Sequence, residues 1–195
     1  MPDEQDLTRR DLLAAAAFVP LAALMATAQT GSTALTPGQM KTLEAFIDRL
    51  IPTDELGPGA VEARVHIYID RVLAGPNANE KAQFLEGLEA VNAFAQRSQG
   101  APLVDLTPEK RDLVLKAIDE NTAEGLPQGR QFFNRARRLT LEGMFGDPYY
   151  GGNGAFAGWD LIRYPGPRPA VDAEMQQMET VPAPYHHSAW GMQYK

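Results

Sequence analysis

Three histidines are the only imidazoles in the chain, at His66, His186 and His187. They are the first residues to weigh for metal or acid–base chemistry. His66 falls inside a predicted helix without a second histidine one turn away, so no i, i+4 pair of the H-E-x-x-H kind exists. The adjacent His186 and His187 point to opposite sides of an extended chain, so the two do not share an ion. The plainer reading is an exposed or interface imidazole pair. Gly152-Asn153-Gly154-Ala155-Phe156-Ala157 matches the glycine-rich phosphate pattern in letters only. That pattern needs a buried strand before it and a helix after it, whereas Asp147-Pro148-Tyr149-Tyr150 precedes and Gly158-Trp159 follows. Asp54-Glu55 reads as a solvated loop pair, and no nucleophile elbow or Ser-His-Asp order is legible. The sequence therefore assigns no catalytic residue, no metal ligand and no cofactor-binding residue.

Cysteine is absent, which excludes disulfides, thiolate nucleophiles, iron–sulfur clusters and covalently attached c-type haem in this chain. Arg130, Arg135, Arg137 and Arg138 alternate with apolar residues. The spacing favours a wet face paired with nearby acids over a partner-binding stripe.

One stretch stands apart. From Phe145 to Pro167, six glycines, three prolines and six aromatic residues share 23 positions. Proline removes a backbone donor and glycine loosens the chain, so no regular helix or central strand is expected there. Its Tyr and Trp content, with Arg163 and Arg168 nearby, is the composition of a binding surface; packing onto the chain's own helices is the competing reading.

The elements that would carry this loop are helical. Thr36-Pro37-Gly38-Gln39 is a capping box with proline at the first helical position. Met40, Leu43, Phe46, Ile47, Leu50 and Ile51 then repeat at helical spacing until Pro52. A second helix is predicted near Ala60–Ala74, a third over about Asn79–Ser98, a fourth from Thr107-Pro108 to about Asn121, and a fifth over Gln128 to about Gly143. No alternating run is long enough for a strand. The expected fold is all-α: one small domain of about five short amphipathic helices, followed by a long irregular Gly/Pro/aromatic segment.

The N-terminus reads as an address. Arg9-Arg10 sits between Thr8 and Asp11-Leu12-Leu13, an Ala-rich apolar run follows, and Ala26-Thr27-Ala28 offers a small-residue cleavage pattern. This is a twin-arginine export signal. Leu12–Ala28 is 17 residues, the lower edge of a membrane span, but alanine is weakly apolar and Pro20 interrupts it, which favours a cleaved signal over an anchor. The expected organisation is a signal over 1–28, a helical domain over 29–145, and an irregular segment over 146–195 that wraps onto the domain or a partner. The first 28 residues hold −2 of the chain's −7 net charge, leaving −5 on the remaining 167. A mildly acidic domain argues against nucleic acid or anionic lipid as the main partner.

Three stretches together are specific: "LTPGQMKTLEAFIDRLIPTDE" at Leu35–Glu55, "GAVEARVHIYID" at Gly59–Asp70, and "EGMFGDPYYGGNGAFAGWDLIRYPGP" ending at Pro167. Over roughly Leu35–Pro167 the chain resembles the gluconate 2-dehydrogenase subunit 3 family. The resemblance implies a small, twin-arginine-exported, periplasmic accessory subunit without catalytic groups of its own. Any membrane association would come through its complex. Its partner would be a larger FAD-containing flavoprotein of the glucose-methanol-choline type that oxidises a sugar or sugar acid, with a cytochrome c subunit or domain carrying haem as electron acceptor. Arg9 and Arg10 would be read by the twin-arginine translocase. Phe145, Tyr149, Tyr150, Asn153, Trp159 and Tyr164 are the residues expected to contact the partner. Two other classes stay open: a stand-alone periplasmic carbohydrate-binding module stacking sugars on Tyr149, Tyr150, Trp159 and Tyr164, and a stand-alone enzyme, for which no convergent titratable groups are visible.

Overall fold

A computed structural model describes residues 33–168 and 170–191; the Arg9-Arg10 signal and the expected 1–28 boundary lie outside the described residues. The chain divides into units at Ser32/Thr33, and the fold below is that of the second. Its described residues form six α-helices: α1 Pro37–Leu50, α2 Val65–Ala74, α3 Lys81–Gln99, α4 Pro108–Asp119, α5 Gly129–Phe145 and the short α6 Ala157–Leu161. No strand occurs among the described residues. The all-α expectation holds.

Local sequence explains the best-defined ends. Gln39 donates its backbone N–H to the Thr36 hydroxyl at 3.3 Å, and Thr36 returns its own N–H to the Gln39 side-chain oxygen at 2.9 Å, so α1 opens with the capping box expected of it. α3 closes on Gly100, whose φ of 85° lets the chain turn away in the left-handed region. Apolar stripes then decide the packing. Leu43, Phe46 and Ile47 of α1, Phe84, Leu88 and Val91 of α3, and Val114, Leu115 and Ile118 of α4 are buried in one core. α5 touches α1, α2, α3 and α4, and its Phe132 and Phe133 meet Phe46 edge-on at 5.6 and 5.9 Å.

The second helix differs from expectation. It starts at Val65, not near Ala60, because the Ala63 carbonyl accepts the Gly154 N–H at 2.8 Å and Arg64 stands in the left-handed region at φ 60°. A contact from a distant loop thus overrides the local helical pattern. α6 was not anticipated by periodicity. It is five residues long and follows two left-handed residues, Ala155 and Phe156.

Candidate partner-binding site

The site is built on the C-terminal end of α5, where the last carbonyls lack helical donors. Glu142 O accepts the Gly146 N–H at 2.9 Å. Phe145 O accepts the Trp159 indole N–H at 2.9 Å. Gly146 O accepts from the Asn153 side-chain Nδ2 at 2.9 Å, while the Asn153 side-chain Oδ1 accepts the Gly158 N–H at 2.8 Å. Gly152 and Gly158 lie directly over the Gly143 and Met144 carbonyls, where a Cβ would collide with the oxygen. Glycine is required at both by this close approach. The unusual composition of residues 145–159 is therefore first of all that of a folded helix cap.

Asp147 holds the next layer. Its Oδ1 accepts the Tyr149 N–H at 2.9 Å, and its Oδ2 accepts the Ala189 N–H at 2.8 Å. The residue thereby ties the C-terminal segment to the cap. His186 adds a 2.7 Å contact to Asp160 and stacks on Phe156 with centroids 4.7 Å apart, and Trp190 leans on Tyr149 at 5.6 Å.

The cap is conformationally costly. Asn153, Ala155, Phe156 and Arg163 all have positive φ, as does Arg64 beside it; Asn121 is the sixth such non-glycine residue among those described. Each left-handed L-residue costs on the order of 1 kcal/mol and persists only where its surroundings hold it.

The six residues expected to contact a partner divide. Tyr149, Tyr150 and Tyr164 are exposed on the cap, and Phe145 is half-buried against the core. Asn153 and Trp159 are interior, at 0% and 4% exposure, with their polar groups bonded to the chain's own backbone. As exposed anchors these two are corrected: the helix end needs their donors, and burial leaves Asn153 no outward face and Trp159 only the small part of its ring that lines a hollow beside Phe145. The structure adds Leu56 and Ile162, exposed by 76% and 54% beside the cap. An apolar residue inside the acidic turn "TDELGP" was the available signal for Leu56.

Three arginines of the basic cluster have local partners. Arg135 pairs with Glu80 at 3.2 Å, Arg138 with Glu142 at 3.0 Å, and Arg130 donates to Asp119 O at 2.7 Å. His66 is partly buried, with Nε2 3.6 Å from Glu44; burial, with the Arg64 charge adding to it, holds its pKa below the usual imidazole value against the pull of Glu44. Tyr68 donates to Glu142 at 3.1 Å, and burial together with that carboxylate pushes its phenol up to about 12. Asp70, unmarked in the sequence, is buried and accepts the N–H groups of Ala34 and Leu35 at 2.8 and 2.9 Å, fixing where the chain enters the domain.

A helical domain that invests a strained, preformed cap in presenting tyrosines and aliphatic side chains has the build of an accessory, protein-facing subunit. The chain belongs to the gluconate 2-dehydrogenase subunit 3 family, whose model matches residues 37–166, a span that takes in α1 through α6 and the whole cap. It is thus an accessory subunit of a dehydrogenase complex. No curated protein and no solved structure matches the chain significantly.

Proposed function

We propose that this chain is the non-catalytic escort of a periplasmic FAD-dependent sugar or sugar-acid dehydrogenase, required for the export, stability and assembly of the catalytic flavoprotein. The family match over residues 37–166 carries the reading. On it, hydride passes from substrate to the flavin of the large subunit, electrons leave through a cytochrome c, and this chain supplies surface and address. Arg9 and Arg10 direct both chains, already folded together, to the twin-arginine translocase.

Co-purification tests it. The tagged full chain, expressed with the dehydrogenase large subunit, should retain a yellow, FAD-containing companion in constant ratio through gel filtration. A chain that elutes alone and binds sugar unaided would instead support a carbohydrate-binding module. That reading is weakened by Trp159, whose buried ring offers no stacking platform.

A further inference from the structure

We infer that the flavoprotein docks on the ridge formed by α6, into the two hollows that flank it. The inference rests on the escort reading above and names the surface that reading requires.

The first hollow, of about 370 Å³, is lined by Leu56, Pro58, Ala155 and Leu161, with the carboxylates of Glu62 and Asp160 at its edge. The second, of about 330 Å³, is lined by Phe145, Trp159, Ile162 and Tyr164, with Asp147 beside them. Leu56 and Ile162, more than half exposed, stand one in each wall. Apolar side chains so placed gain from being covered, roughly in proportion to the area removed from water.

Charge selects what covers them. Neither hollow is lined by a lysine or arginine, although Arg64 lies close by, against Gly154. Asp160 already faces His186, and Asp147 accepts two backbone N–H groups, so of the three carboxylates at the hollows Glu62 is the one with neither an ion pair nor a hydrogen bond among the described residues. The complementary occupant is a patch of the large subunit that offers aliphatic or aromatic side chains to the hollows and a lysine or arginine to Glu62.

The backbone makes the same point independently. Five of the six non-glycine left-handed residues named above lie in or against this ridge, Asn153, Ala155, Phe156 and Arg163 within it and Arg64 across the Ala63–Gly154 hydrogen bond. Strain gathered at one surface, and clamped from below by Trp159 and Asn153, makes that surface rigid before it meets anything. A preformed face loses less conformational entropy on docking.

The test is a titration of the purified, flavin-loaded large subunit with the wild-type chain and with Leu56→Glu, Ile162→Glu, Glu62→Lys and Leu113→Glu. Leu113 is equally exposed but lies on α4, away from the ridge. The first three should raise Kd by at least about tenfold, the size expected of a residue central to an interface, and Leu113→Glu by less than about twofold. Glu62→Lys should lose most at low salt, where a lost ion pair weighs most. Circular dichroism and melting of each variant exclude unfolding, and Leu56→Ser stands in if Leu56→Glu fails to fold. Tight wild-type binding that Leu56→Glu and Ile162→Glu leave unchanged overturns the docking surface alone. A wild-type chain that does not bind the flavoprotein overturns the escort reading and this inference with it.

Discussion

The indole N–H of Trp159 donates to the backbone carbonyl of Phe145 at 2.9 Å, closing the end of α5 with a side chain from the short helix α6. Removing that donor should be felt in folding before it is felt in binding. Trp159→Ala is expected to cost about 3–5 kcal/mol of domain stability, as large core truncations do. Trp159→Phe keeps most of the volume, leaves the carbonyl unpaired and should cost about 1–3 kcal/mol. Urea unfolding of the isolated domain measures both, and a shift of only a few tenths would show that the indole is not part of the core.

Gly152 and Gly158 should tolerate no side chain. An added methyl at either meets an α5 carbonyl oxygen, which is backbone and cannot rotate aside. Each alanine variant should lose at least about 1–3 kcal/mol, in the range of overpacked cores. Thermal melts that match wild type would mean that the loop can lift off the helix at no cost.

Ala155→Gly should have the opposite sign. At φ 52° an alanine is strained and a glycine is not. The gain is expected to be about 0.5–1 kcal/mol, after allowing for the greater freedom glycine brings to the unfolded chain. Chemical denaturation of the variant reads the shift, and a loss of stability would contradict the assigned backbone conformation.

His66 gives the domain an acid limit. Its folded pKa lies below the ordinary imidazole value of 6.5, so the unfolded chain takes up a proton that the folded chain resists. The stabilisation is complete above that ordinary value and is lost as pH falls through it toward the folded pKa. Stability measured against pH for wild type and His66→Gln should diverge in that window, the variant having the shallower slope. Parallel curves would show that His66 titrates alike in both states.

On the proposed escort role, replacing Arg9 and Arg10 by lysine should leave the domain folded and hold it, with the proposed flavoprotein partner, in the cytoplasm, the guanidinium pair then acting as an address and not as bulk charge. Dehydrogenase activity in periplasmic fractions reports the outcome. Normal periplasmic activity would mean that the large subunit is exported by other means.

How far the sequence could be read depended on whether a feature was decided locally. α1 was legible because its cap and its stripe lie within sixteen consecutive residues, Thr36–Ile51. The start of α2 was not, since it is set by Gly154, far along the chain, taking the Ala63 carbonyl. In the aromatic stretch, composition separated a built loop from an ordinary one but could not say which ring faces inward. Trp159 and Asn153 went inside because a helix terminus needed donors, while Tyr149 and Tyr150 stayed outside. Asp70 was silent for the same reason: one acid in a short helix looks like a wet face until the two N–H groups it serves are seen.

Solvent exposure is the usual guide to which positions drift freely, and the ridge separates the two. Arg64, Ala155 and Arg163 are exposed, yet their left-handed backbone is closed to valine, isoleucine and threonine. A saturation-mutagenesis map of this domain would show these three as intolerant islands in a permissive exterior, accepting glycine and asparagine and rejecting β-branched residues. Leu113 and Leu141, as open to water but helical, would accept nearly anything.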